Sequence, residues 1–125
     1  MSEVRRVLVV EDDHVVSYTL TGMLSEEGFD VRAAMSPAEL PPQDDPWRPH
    51  AALVDIMLPE DTEGLVVCEQ LQQRFPGIRL VVLTNRIERE IVARAGRLAA
   101  AVFHKLRDDP AQYMDEIVAS IRGEP

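Results

Sequence analysis

Cysteine is nearly absent from this 125-residue chain. The single one, Cys68, cannot form an internal disulfide, which agrees with a reducing compartment. Long apolar runs are missing as well. The longest, Leu98 to Phe103, falls far short of the ~20 residues that a membrane-spanning helix needs, and the opening Met-Ser-Glu-Val-Arg-Arg holds no apolar core of a secretory signal. Positive charge is scarce: 13 Lys and Arg stand against 22 Asp and Glu, a net charge of −9, which argues against direct binding to a nucleic-acid backbone. What is present is a globular balance, 46% apolar and 28% charged, with enough material for one core. The expectation is one acidic domain over residues 1–125, soluble and cytoplasmic, with no membrane contact.

The apolar residues repeat a pattern, a short run followed by a segment of helical period. Val7-Leu8-Val9-Val10 shows no polar alternation, as expected of a strand buried on both faces. Beyond Asp12-Asp13, apolar side chains recur at Val16, Leu20, Met23 and Leu24, one face of a helix that Gly28 can stop. Asp30 to Met35 reads as an amphipathic strand nearer an edge. Ala51-Ala52-Leu53-Val54 ends at Asp55, Leu80-Val81-Val82-Leu83 ends at Thr84, and Ala101-Val102-Phe103 makes a fifth strand. Leu65, Cys68, Leu71 and Phe75 mark a helix closed by Pro76-Gly77. Ile87, Ile91, Ala95 and Leu98 mark another, and Met114, Ile117, Val118 and Ile121 the last. Strands alternating with helices specify βαβ units, so the fold class is α/β with a doubly wound, five-stranded parallel sheet and helices on both faces.

One repeat is irregular. Ser36-Pro37-Ala38-Glu39 looks like a helix start, with Ser36 as N-cap, but Pro41, Pro42, Pro46 and Pro49 forbid a regular helix beyond it. The spacing predicts about one turn and then an extended connector carrying Trp47.

In a parallel sheet the carboxyl ends of all strands share one rim, where ligands sit. The first strand delivers Glu11, Asp12 and Asp13 there, the third Asp55, the fourth Thr84, and Lys105 lies just past the fifth. Carboxylates from neighbouring strands repel one another unless a cation joins them, and a few carboxylates plus waters is how Mg²⁺ is usually held. With a hydroxyl and an ammonium beside them, they make a site for a phosphoryl group. Asp12 or Asp13 alone would read as a helix N-cap, and Asp13 is assigned that role here. Cys68 reads as core. His14, His50 and His104 lack ligand spacing, so no zinc site is expected.

These residues carry a resemblance. Val-Glu-Asp-Asp (10–13), Val-Asp-Ile-Met-Leu-Pro (54–59), Leu-Thr (83–84) and Phe-His-Lys (103–105), in order and each after a predicted strand, resemble the response-regulator receiver domain of two-component signalling, a flavodoxin-like fold. The resemblance implies that Asp55 is the phosphoacceptor, that Asp12 binds Mg²⁺ (or Mn²⁺) directly and Glu11 through water, and that Met57 lends a backbone carbonyl. It further implies that Thr84 hydrogen-bonds one phosphoryl oxygen and Lys105 pairs with another. Such a domain is a phosphoacceptor rather than an enzyme, with at most Mg²⁺-dependent self-phosphorylation and self-dephosphorylation. Its expected partners are a histidine kinase or phosphotransfer protein and a downstream protein.

The chain departs from the family pattern in five places. Leu106 replaces the proline after Lys105; a cis bond there would cost about 2.5–4 kcal/mol, so a trans bond is expected. Asn85 and Arg86 follow the threonine where a small residue is usual. Val102 occupies the place of the aromatic switch residue. The loop Glu60-Asp61-Thr62-Glu63-Gly64 is one residue longer than usual and adds negative charge, and the proline segment replaces the second helix. An alternative therefore stands beside the phosphoacceptor: a receiver-like interaction module whose binding does not depend on phosphorylation. A catalytic phosphatase is not expected, since five βα repeats leave little room for a substrate pocket and cap. The last two helices and strand five are the expected output face. Arg86, Arg89, Arg94 and Arg97 on one side and Asp108, Asp109, Asp115 and Glu116 on the other either pair across a homodimer axis or stand as solvated faces.

Overall fold

The computed structural model describes residues 5–56, 62–84, 89–98, 101–104 and 110–123. In chain order these form β1 (Arg6–Val10), α1 (His14–Glu26), β2 (Asp30–Ala34), a 3-10 turn (Pro37–Glu39), β3 (Ala51–Ile56), α2 (Thr62–Arg74), β4 (Arg79–Thr84), α3 (Arg89–Leu98), β5 (Ala101–His104) and α4 (Pro110–Arg122). The strands pair in parallel in the order β2-β1-β3-β4-β5. This is the doubly wound sheet expected from the alternating pattern.

Residue alternation along each strand divides the core in two. Leu8, Val10, Ala52, Val54, Leu80 and Val82 face Leu65, Cys68 and Leu71 of α2 and Phe75 just past its end. Val7, Val9, Leu53, Val81 and Leu83 face Leu20 and Leu24 of α1 and the buried Met114, Ile117, Val118 and Ile121 of α4. Val7, Leu8 and Val9 are all essentially inaccessible. A run without polar alternation is what two covered faces require. No helix among the described residues is long and apolar enough to cross a membrane.

Local signals set the ends of α1. Asp13 Oδ1 accepts from the N–H groups of Val15 (2.9 Å) and Val16 (3.0 Å), the expected N-cap. At the other end Gly28 adopts φ 96°, its N–H donates to Ser25 O (3.0 Å) and that of Phe29 to Leu24 O (3.3 Å). This is a Schellman closure, with Phe29 and Leu24 packing in the same cluster.

Between β2 and β3 the chain makes the single 3-10 turn and then an irregular strap over residues 40–50, as the prolines dictate. With Pro37 opening the turn, Ser36 stands at the N-cap as expected, but by backbone geometry alone. Its hydroxyl makes no capping bond, because the Glu39 N–H it would serve already donates to Ser36 O (3.0 Å). Glu39 instead reaches back, its Oε1 accepting from Met35 N–H (3.1 Å). Leu40 and Trp47 anchor the strap in the α2-side core. The Trp47 indole N–H donates to Asp30 Oδ2 (3.0 Å), and the Arg32 guanidinium lies 4.6 Å from its ring centre. The strap thus covers, with one ring and no helix, the part of the sheet beside β2.

Candidate functional site

The sheet order places a switch point between β1 and β3, since the chain leaves β1 toward β2 on one side and continues from β3 toward β4 on the other. Val10 pairs with Val54, so Glu11 and Asp55 are the next residues past that pair on adjacent strands. Asp12 follows Glu11 at the rim. Glu11, Asp12 and Asp55 line one cleft, whose remaining described walls come from the ends of β1, β2 and β3, the 3-10 turn, and Gly64 and Val67 of α2.

The three carboxylates differ in setting. Asp12 is exposed and Asp55 half-buried, whereas Glu11 is 1% exposed. Glu11 Oε1 accepts from the Asp13 N–H (3.0 Å), but Oε2 is buried without a hydrogen-bond partner among the described residues. A buried carboxylate oxygen left without a donor is costly unless a cation joins it. Among the described residues no group of three or more His, Cys, Asp or Glu side chains is gathered closely enough to hold a metal by itself. The donor set is nevertheless of the kind that fits Mg²⁺, which keeps several waters and takes only one or two carboxylates.

Thr84 ends β4, paired with Ile56 and His104, one step beyond Asp55, which pairs with Leu83. Lys105 would follow His104, but it lies outside the described residues, as do Met57, Glu60, Asp61, Asn85, Arg86 and Leu106. The trans-bond expectation at Lys105–Leu106 therefore lies outside them too. Val102 is half-buried, pairs with Val82 and packs against the α2-side core. Cys68 is fully buried in that core, and burial together with the neighbouring Glu69 pushes its thiol up to about 12. It belongs to packing, as expected. Sequence reasoning missed the Met35–Pro37 wall of the cleft; the pairing of the β2 end with Glu11 is the signal that finds it.

With this geometry in place, the relatives are informative. Residues 7–105 match the response regulator receiver domain, and the chain belongs to that family. It is 37% identical over 81 residues to the response regulator MprA of Mycobacterium avium (strain 104), an alignment covering 65% of this chain and 35% of that protein. The chain thus spans about a third of the length of the curated relatives it matches. A crystal structure of a CheY-like response regulator receiver domain protein from Methanospirillum hungatei JF-1 superposes with a TM-score of 0.78 at 25% identity, covering 95% of this chain and 94% of that one. A response regulator from Burkholderia pseudomallei, solved with a phosphorylated aspartic acid, a calcium ion and citrate, shares the fold. Its TM-score is 0.76 at 24% identity, over 94% of this chain and 66% of that one. The chain is a receiver domain of the two-component signalling type.

Proposed function

We propose that this receiver accepts a phosphoryl group on Asp55 from a phosphohistidine of a histidine kinase or phosphotransfer protein, with Mg²⁺ (or Mn²⁺) bound beside it. The observation that supports this reading is the meeting of Glu11, Asp12 and Asp55 in one cleft at the switch point, with a buried Glu11 oxygen lacking a donor. An Asp55 carboxylate oxygen attacks phosphorus and forms an O–P bond. The P–N bond of the donor breaks, and its electron pair leaves with the imidazole, which takes up a proton. Asp12, Glu11 and the Met57 carbonyl would hold the cation, which would supply positive charge among the carboxylates and phosphoryl oxygens. Thr84 and Lys105 each engage a phosphoryl oxygen. The domain supplies position and charge while the donor supplies the energy. Output passes through protein contacts in the cytoplasm, by way of α3, β5 and α4.

The test is intact mass after incubation with Mg²⁺ and phosphoramidate, beside an Asp55→Asn control. A Mg²⁺-dependent phosphoryl adduct confined to the parent is expected; an adduct persisting in Asp55→Asn defeats the assignment. A second reading, an interaction module indifferent to phosphorylation, is favoured by Val102. Wedged against the core, this β-branched residue offers no ring to swing between positions. Equal partner affinity for the phosphorylated and unphosphorylated forms would select it.

A further inference from the structure

The third side of the cleft comes from the segment after β2. Val10 pairs with Ala34, and the Glu11 N–H donates to Ala34 O (3.1 Å), so the chain continues past the rim alongside Glu11 and Asp12. Met35, Ser36 and Pro37 then line the same cleft as the three carboxylates. The other described wall residues are apolar, glycine or carboxylate. Among the described residues of the cleft, Ser36 alone carries a side chain that can donate a hydrogen bond to an anion or a water.

Its hydroxyl is also available and its backbone is fixed. It makes no capping bond to the 3-10 turn. Glu39 ties down the residue before it through Met35 N–H. Trp47 fastens the strap that follows onto β2, at Asp30 and Arg32. A donor held on a rigid wall is preorganised, and this is what a site for charged oxygens requires.

We infer that Ser36 is a positioning residue of the cleft, its hydroxyl donating a hydrogen bond to an oxygen held between Asp12 and Asp55. The inference rests on the proposed function and adds a donor to it. That oxygen belongs either to a water bound to the cation or to the phosphoryl group on Asp55, and the two sources separate by experiment.

Full-length Ser36→Ala and Ser36→Thr chains are compared with the parent in two measurements, Mg²⁺ titration by calorimetry and the lifetime of the Asp55 adduct by intact mass after donor removal. Ser36→Ala is expected to weaken Mg²⁺ binding about five-fold if the oxygen is a metal-bound water, or to change the adduct lifetime about five-fold if it is a phosphoryl oxygen. Ser36→Thr, which keeps the hydroxyl, is expected to restore the parental value, and the thermal midpoint should stay where it was in both. Ser36→Ala within about two-fold of the parent in both measurements overturns the inference while leaving Asp55 as acceptor. Failure of Ser36→Thr to restore overturns it as well, by showing that packing rather than the hydroxyl matters. A parent that neither binds Mg²⁺ nor forms the adduct sinks the proposed function, and this inference with it.

Discussion

At the carboxyl ends of the strands, Glu11, Asp12 and Asp55 line one cleft, whereas at the amino ends guanidinium groups meet carbonyl oxygens. There Arg6 Nε donates to Arg48 O (2.6 Å), Arg48 donates to Gln43 O (2.6 Å) and Arg74 O (3.4 Å), Arg74 to Pro41 O (3.3 Å), and Arg122 to Glu27 O (3.2 Å). Glu27 caps α1 and Arg74 ends α2, so two of these bonds serve helix C-termini, where carbonyls lack partners and the helix dipole is negative. Arg48 and Arg122 also lie 4.9 Å and 5.2 Å from the ring centres of Phe75 and Phe29. His50 Nδ1 accepts from the N–H groups of Arg5 (3.3 Å) and Arg6 (3.2 Å), joining the starts of β1 and β3. Among the described residues, one end of the sheet ties its guanidinium groups to carbonyls, and the other leaves a buried Glu11 oxygen without a donor. The arginine end thus serves the fold's stability, and the carboxylate end is left for chemistry.

The β2–β3 connection joins the two ends through its strap, and the greatest loss of stability is expected there. Beyond the cleft wall at Ser36 and the 3-10 turn, it receives the arginines at Pro41, Gln43 and Arg48, and Trp47 anchors it to β2. Trp47→Ala removes a ring that is 8% exposed, the Asp30 bond and the Arg32 contact. Denaturant unfolding should show a loss of about 3–5 kcal/mol. A loss below about 1 kcal/mol would mean that the strap is peripheral to the core.

Next in size is a control from the layer between the two ends. Cys68 titrates near 9 in an unfolded chain and at about 12 when folded, because burial disfavours the thiolate. The folded state therefore holds its proton more tightly. The stability tied to the thiol is fully present below pH 9 and is lost as pH rises from about 9 toward 12. Urea midpoints measured across that window should fall more steeply for the parent than for Cys68→Ala. Equal slopes would place the thiol in contact with water.

The sequence made the strands legible, because a strand covered on both faces has to be an uninterrupted apolar run, as in Val7–Val10 and Leu80–Leu83. It made the helix faces legible for the same reason: Leu65, Cys68, Leu71 and Phe75 are all buried. Prolines 41, 42, 46 and 49 announced the missing helix. Nothing local announced that Trp47 would bond Asp30, 17 residues earlier, since that contact exists only once β2 and the strap are folded together. The arginine network was equally hidden. An arginine bonded to a carbonyl and an arginine in solvent are written with the same letter, and no periodicity separates them. At the cleft, convergence of Glu11 with Asp55 followed from strand order, but the depth of Glu11 did not.

The arginine end predicts a smaller loss. Arg48→Ala removes two carbonyl bonds and the Phe75 contact, all on a largely exposed side chain. A loss of about 1 kcal/mol in unfolding free energy is expected. The yield of the Asp55 adduct should be unchanged, and a fall in yield with an unchanged midpoint would show that the two ends communicate.

The smallest expected effect has the opposite sign. Glu11→Gln keeps an oxygen to accept the Asp13 N–H and removes a buried negative charge beside Asp12 and Asp55. With the cation chelated away, the variant should be more stable than the parent by about 1 kcal/mol, since burial and like charges both penalise the carboxylate. A cation that binds only the folded state adds RT ln(1 + [L]/Kd), so the ligand restores stability to the parent in proportion to its affinity. Replacing an anionic oxygen donor with an amide weakens that affinity. Thermal unfolding in EDTA and in excess Mg²⁺ should therefore rank the two proteins in opposite orders. A parent more stable in both conditions would mean that Glu11 is satisfied without a cation, and that the carboxylate end of the sheet is built for structure as the arginine end is.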